Sequence, residues 1–173
     1  MVSAEDDESS LKANLMLANL FSELGRYDEA IKTLEPLNDI SAAFAAASMY
    51  MSRNQFVGAA NQYESLVAML PEDAADRTVR VFRPDTSRPG LTEIALPRHA
   101  FFEQYSECLA RSDRPAEAQS VFDRLPLPQD DRDRAARALI QSMIYAGFAT
   151  EKYRDNQDGM AEESSALEQL ALA

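Results

Sequence analysis

The feature that most constrains the fold of this 173-residue chain is a recurring two-part apolar pattern. In three segments, a run of apolar residues at helical spacing is followed by a short polar break and then by a second run that opens around an alanine. The breaks contain Gly25-Arg26, Arg53-Asn54 and Ser112-Asp113, and the alanines are Ala30, Ala59 and Ala118. The pattern predicts three pairs of helices.

The alanines indicate how the two helices of each pair meet. A small side chain lets two helix backbones approach to near the minimum interaxial distance. A large residue follows four positions later in each segment, namely Leu34, Tyr63 and Phe122. Because one pair cannot bury its apolar face alone, we expect successive pairs to stack.

The first segment, "LMLANLFSELGRYDEAIKTLEPL", resembles the tetratricopeptide repeat (TPR) in its leucine, small residue, aromatic residue and Gly-x-Tyr-x-x-Ala stretch. The second and third segments keep fewer of the motif residues, among them Tyr50, Phe56, Tyr63, Phe102 and Phe122. The resemblance implies an all-α fold, an α-solenoid of TPR-like helical hairpins forming a single domain over 1–173. Repeat one would span 11–38, repeat two 41–71 and repeat three 99–125, with capping helices over 131–172. Pro36 predicts an early end to the second helix of repeat one.

Residues 74–98 form an insertion between repeats two and three. The pieces "TVRVF" and "TEIAL" alternate as strands do, around a turn rich in proline and glycine, so the sequence favours either a β-hairpin or an ordered loop. The segment contains five arginines against three acidic residues, whereas residues 1–39 contain nine acids against three bases. The arginines could dock on an acidic partner or fold back onto the acidic N-terminal region; the candidates are Arg77, Arg80, Arg83 and Arg88.

The overall charge narrows the range of partners. A formal charge of -12, from 29 acidic and 17 basic side chains, repels nucleic-acid phosphates and anionic lipids, so we expect neither nucleic acid nor membrane as a partner. No apolar run reaches the roughly 18 residues of a spanning helix, and Met1 to Ser10 is acidic where a signal peptide would be basic and then apolar. These features predict a cytoplasmic protein.

Few residues suggest chemistry. His99 is the only histidine and Cys108 the only cysteine, and the five glycines form neither a phosphate loop nor a dinucleotide fingerprint. We interpret Cys108 as a structural thiol, because it falls on the largely buried pattern of its helix. The sequence therefore predicts no catalytic residue, cofactor or metal, and no enzymatic activity.

The resemblance to TPR proteins implies a concave groove that holds a protein or peptide partner. Carried over residue by residue, its lining would include Leu15, Asn19, Ser22, Phe44, Ser48, Met51, Glu103 and Glu107. Phe44 and Met51 could equally be packed under the inserted hairpin or against the cap. Of the clamp that binds heat-shock chaperone tails, only Asn19 is matched, so we do not expect such tails to bind.

Two functions remain open at this stage. The first is an adaptor or scaffold subunit that binds a partner through the groove or the insertion. The second is a cytosolic chaperone for a secreted substrate, because "SECLARSDRPAEAQ" is similar to part of the third repeat of class II type III secretion chaperones.

Overall fold

The computed structural model describes residues 4–70, 78–85, 90–128, 130–154 and 168. Four parts of the sequence interpretation lie outside these residues. They are Pro71 at the end of repeat two, Arg77, Arg88, and the predicted second capping segment over 160–172, of which only Glu168 is described.

The described residues form seven helices and two strands, so the expectation of a largely helical chain is confirmed. The elements are α1 Ala4–Glu23, α2 Tyr27–Leu34, α3 Ile40–Ser52, α4 Phe56–Met69, β1 Thr78–Pro84, β2 Leu91–Pro97, α5 Arg98–Arg111, α6 Pro115–Phe122 and α7 Asp131–Arg154. They divide between two compact units, unit 1 over 1–98 and unit 2 over 99–173.

Three helix pairs are joined by equivalent three-residue turns, 24–26, 53–55 and 112–114. The middle residue of each turn has a positive φ: 72° at Gly25, 55° at Asn54 and 61° at Asp113. Glycine, asparagine and aspartate are the residues that adopt this left-handed conformation most readily. The polar breaks of the sequence are therefore helix ends with a common backbone geometry.

The hydrogen bonds of the three turns also correspond. In each, the amide that follows the positive-φ residue donates to the carbonyl five residues earlier, from Arg26 to Phe21 at 2.8 Å, Gln55 to Tyr50 at 2.9 Å and Arg114 to Leu109 at 3.1 Å. This bond is the outer one of the Schellman motif, which satisfies carbonyls at the end of a helix. Equivalent residues of the three pairs can thus be matched by counting from the turn.

Small residues occupy matching buried positions in the three pairs. Ala30, Ala59 and Ala118 are all fully buried, as the sequence predicts for residues at the contact between paired helices. The positions twelve residues earlier hold Ala18, Ala47 and Ser106, and these are fully buried as well. A larger side chain at any of these positions would have no space to enter without moving a helix.

In unit 1, the second helix pair packs against the first. Leu15, Ala18, Ala30 and Leu34 of the first pair share one core with Ala42 and Ala46 of α3. Two hydrogen bonds also join these helices. Arg53, directly after α3, donates from Nη1 to Asp28 Oδ1 on α2 at 2.8 Å. Tyr50 of α3 donates from its hydroxyl to Oε1 of Glu35, the residue after α2, at 3.1 Å. Helix α2 ends at Leu34, two residues before Pro36, as expected.

The insertion forms an antiparallel β-hairpin, so the hairpin alternative is confirmed. Val81 of β1 pairs with Ile94 of β2. The backbone amide of Phe82 donates to Ser41 Oγ on α3 at 3.0 Å, and the ammonium of Lys12 on α1 lies 4.8 Å from the centre of the Phe82 ring. The hairpin is therefore attached to the surface formed by α1 and α3.

In unit 2, α7 packs against α6 and also contacts α5. Gly147 of α7 is needed at this contact, because a Cβ there would lie 2.9 Å from Pro115 Cβ. Gln141 Nε2 donates to Gln119 Oε1 at 2.8 Å, and Arg137 Nε donates to Glu103 Oε1 of α5 at 2.9 Å. Helix α7 thus covers the third helix pair, where the sequence predicts a capping helix.

Candidate protein-binding surfaces

The predicted groove is partly filled by the protein's own hairpin. Phe82 packs against the unit 1 core and contacts Lys12 and Ser41 on the same α1 and α3 surface. Leu15, predicted to line the groove, is 4 % exposed and belongs to that core. Its placement on an accessible groove is therefore corrected, because the packing of α1, α3 and β1 leaves its side chain out of reach.

The other predicted groove residues of unit 1 are at least partly accessible. Ser48 is exposed, and Asn19, Ser22, Phe44 and Met51 are half-buried. Met51 rests against the buried Tyr63, whose hydroxyl lies 3.6 Å from the Met51 sulfur. Met51 is consequently held in place by its own helix pair.

The two predicted groove residues of unit 2 are both engaged in ion pairs. Glu107 lies 2.9 Å from Arg111 on the same helix. Glu103 binds Arg137 at 2.9 Å, and this pair is largely buried, with 20 % and 8 % of the respective side chains exposed. Glu103 therefore joins α5 to α7, and its contact with a partner stays a prediction.

The two predicted docking arginines that the structure describes lie on β1. Both are exposed, and the Arg80 guanidinium lies 3.8 Å from Glu93 on the neighbouring strand. Arg80 thus pairs within the hairpin. Docking of these arginines on an acidic partner stays a prediction.

The largest exposed apolar feature of α1 was not predicted from the sequence. Met16, Leu17, Leu20 and Leu24 are 50 %, 42 %, 51 % and 61 % exposed. At 100° per residue these positions fall within about a quarter-turn of the helix circumference, opposite the side that contains Leu15 and Ala18. Leu24 directly follows the last residue of α1, and its amide donates to the Leu20 carbonyl at 3.1 Å, as in a further helical residue. We call these four residues the α1 stripe.

The equivalent residues of the second helix pair show what this side of a helix packs against. Counting from the turns, Met16, Leu17 and Leu20 correspond to Ala45, Ala46 and Met49 of α3. Those three residues belong to or pack against the core that includes Ala30 and Leu34 of α2. In α3 this side is thus covered by a neighbouring helix, whereas in α1 it is open to solvent.

The sequence did contain a signal for the α1 stripe. Helix α1 has apolar residues on both sides, more than one buried face requires, and a helix that is apolar all round is normally covered all round. Leu17 is the leucine of the TPR-like first segment, and Ala46 occupies the same position of the second segment. The pattern cannot show whether a neighbour is present.

A cavity of about 600 Å³ lies between the start of α1, the α2–α3 connection and the hairpin. Asp7, Glu8, Asp39 and Glu93 line it together with apolar residues that include Phe82. Asp39 caps α3 by accepting from the amides of Ser41 and Ala42. Among the described residues, no group of histidine, cysteine or carboxylate side chains is arranged to hold a metal ion.

Cys108 is fully buried in α5. Burial raises the pKa of its thiol to about 12, with a smaller contribution from the neighbouring Glu107 carboxylate. The thiol therefore stays protonated near neutral pH, and a protonated thiol is neither a nucleophile nor a metal ligand. This agrees with the structural role inferred from its position.

Comparisons with known proteins found no match to this chain among family models, curated proteins or solved structures. Over the described residues, no helix is both long enough and apolar enough to cross a membrane.

Proposed function

We propose that the chain is a non-catalytic protein-binding module built from three TPR-like helical hairpins, and that it holds a helix of a partner protein against the α1 stripe. The observation on which this depends is the exposure of three large apolar side chains on one side of α1, and of Leu24 directly after its last residue. Contiguous exposed apolar surface of this kind is typical of protein interaction sites.

The second helix pair supports a helix as the occupant. There, the positions equivalent to the stripe pack against α2, a helix whose buried face presents Ala30, Ile31 and Leu34. A partner helix with a small residue followed by larger apolar residues would reproduce this contact on α1. Full burial of an exposed leucine or methionine contributes about 1.5–3 kcal/mol. The stripe residues are already about half buried, so each would contribute roughly half of that, and the partner must add further contacts to offset the cost of association.

Charge favours a different protein over a second copy of this chain. With a formal charge of -12, two copies repel each other. A partner with a neutral or basic surface around its apolar helix face would be attracted instead. We further propose a cytoplasmic location, which suits the single, buried thiol of Cys108.

The TPR-like arrangement is supported by the three matching turns and by the small buried residues at matching positions. Matching ion pairs add to this. Arg26 binds Glu29 at the start of α2, and Arg114 binds Glu117 at the start of α6. The hydrogen bonds from the two arginines lower the pKa of both glutamates.

The experiment is differential capture of partners from the native cells with three forms of the protein. The test variant is Met16→Ser with Leu20→Ser, and the matched control is Val57→Ser with Leu139→Ser, which removes exposed apolar side chains elsewhere. We expect the wild type and the control to retain one stoichiometric partner that the test variant loses. Circular dichroism and sedimentation should show all three forms to be helical and monomeric.

Three results would argue against the proposal. The test variant could retain the same partner, the control could lose it as well, or sedimentation could show the wild type covering its stripe with a second copy. A captured partner that is secreted and aggregates without this protein would identify the adaptor more narrowly as a chaperone.

A further inference from the structure

The connection between α6 and α7 contains the sequence Leu-Pro-Leu-Pro over 125–128. Leu127 is 89 % exposed, which is the largest exposure among the large apolar side chains that the structure describes. Its neighbours Pro126 and Pro128 are half-buried. The leucine side chain is therefore presented to solvent from a segment that is otherwise partly covered.

The two prolines restrict the backbone of this segment. A proline ring fixes its own φ at about −65°, and the residue before a proline is steered away from the helical region towards extended or polyproline II backbone. Leu125 and Leu127 both precede a proline, so all four residues are restricted. Residues 126–128 belong to no helix, strand or turn. The sequence thus favours polyproline II backbone here.

Hydrogen bonds hold the segment in place. The amide of Leu125 donates to the carbonyl of Phe122 at 3.0 Å. On α7, Nη1 of Arg137 donates to the carbonyl of Pro126, and Nε of the same side chain donates to Glu103 at 2.9 Å. Because the segment is already ordered, binding a partner would cost it less conformational entropy than binding would cost a mobile loop.

A cavity of about 470 Å³ lies beside the segment. Residues 125–128 line it together with residues of α7 that include Tyr145. The charged groups of the lining already have partners within unit 2, since Arg134 and Arg137 each bind a carboxylate and Asp123 accepts a hydrogen bond from a glutamine side chain. The cavity therefore favours an apolar or aromatic side chain of a partner over a charged one.

These features together indicate the kind of partner that fits. Grooves that bind polyproline II segments are lined with aromatic side chains and take advantage of the preformed backbone. An aromatic ring that packed on Pro128 would have the neighbouring cavity available to it. Asp130 is exposed directly after the segment, and the chain has a formal charge of -12, so basic residues beside the partner's groove would be attracted.

We propose that residues 125–128 form a docking segment for a folded partner domain with an aromatic-lined groove and a basic rim. Leu127 is the side chain that the partner buries, and the aromatic ring nearest Pro128 extends into the cavity. The inference goes beyond the proposed function, because it concerns a different unit and an extended segment rather than a partner helix.

The first test is titration of the full chain with three defined probes, one WW domain, one SH3 domain and one EVH1 domain, at up to about 1 mM. Each is used in its natural form and with one aromatic residue of its groove replaced by alanine. The methyl signals of Leu127 and the ring signals of Tyr145 report binding. We expect at least one natural domain to shift both, and its alanine form to bind at least about fivefold more weakly.

Substitutions on this chain provide the matched control. Leu127→Ser should weaken the domain at least about tenfold, because the side chain to be buried is lost. Leu139→Ser removes another exposed leucine of unit 2, on α7, and should change the affinity less than twofold. The same two variants are then compared in capture from the native cells, where we expect a protein with such a domain to be retained by Leu139→Ser and lost by Leu127→Ser.

Three outcomes would overturn the inference. The first is that neither a probe domain nor a captured protein binds in a way that depends on Leu127. The second is binding that survives replacement of the groove's aromatic residue, and the third is equal weakening by Leu127→Ser and Leu139→Ser. The variant Met16→Ser with Leu20→Ser should leave this binding unchanged, so the inference and the proposed function fail independently.

Discussion

The hydroxyl of Ser106 on α5 donates a 2.9 Å hydrogen bond to the carbonyl oxygen of Ala118 on α6. Both residues are fully buried, and they occupy the small-residue positions of the third helix pair. The corresponding positions of the first two pairs hold Ala18 with Ala30 and Ala47 with Ala59. The bond shows directly that the two small residues of a pair meet where its helices touch.

We predict that Ser106→Ala lowers the free energy of unfolding by about 1 kcal/mol, because the Ala118 carbonyl loses a donor in a buried site. Ser106→Leu should cost more, because the helices have no space for it. Urea denaturation measures both changes. Ser120→Ala, at an exposed position on α6, is the control and should change stability by less than about 0.5 kcal/mol.

Ala59→Leu tests the same contact in the second pair. Ala59 is fully buried on α4, and overpacking at such a site costs about 1–3 kcal/mol. Ala68→Leu makes the same change at an exposed position of the same helix and should be nearly neutral. Equal melting temperatures for the two variants would show that the helix pairing is misplaced.

Gly58→Ala should destabilise the protein although alanine is the better helix former. A Cβ at Gly58 would lie 2.6 Å from Cδ1 of the Tyr50 ring. In the Tyr50→Ala background the obstructing ring atoms are absent, and the ordinary preference for alanine, about 0.5–1 kcal/mol, should reappear. A double-mutant cycle by urea denaturation measures this coupling, and the same sign for Gly58→Ala in both backgrounds would contradict the close approach.

Cys108 should be unreactive in the folded protein. The pKa of its thiol is raised to about 12, so at pH 8 it is almost entirely protonated, and the reactive thiolate forms only as the pH rises towards that value. Unfolding removes the burial that causes the shift. Ellman's reagent at pH 8 should therefore label the chain rapidly in denaturant and slowly without it, whereas rapid labelling of the folded chain would contradict the burial.

The helices and the turns between them were more predictable than the binding surface, for a physical reason. Helix pairs, their breaks and their buried alanines follow from local periodicity and turn chemistry. Both are properties of residues that are close together in the sequence. Accessibility depends on neighbours from elsewhere in the chain. Leu15 and Ser48 both fit the groove pattern, but Leu15 is buried in the unit 1 core whereas Ser48 is exposed.

Glu103 and Leu17 illustrate the same limit. Glu103 was assigned to the groove by its repeat position, yet an arginine 34 residues later in the chain takes it into a buried ion pair. Leu17 fits the repeat pattern at the position of the buried Ala46, yet the side of α1 that contains it is open. In both cases the helix position was predicted and the tertiary neighbour was not.

The most direct test of the account is photo-crosslinking in the native cells, with benzoylphenylalanine placed at Leu20 in the α1 stripe or at Ser65, an exposed position on α4. We predict one discrete adduct with a different protein from position 20 and none from position 65. The adduct should disappear when Met16→Ser is added. No adduct from position 20, or an adduct only with a second copy of this chain, would contradict the claim that α1 receives a partner helix.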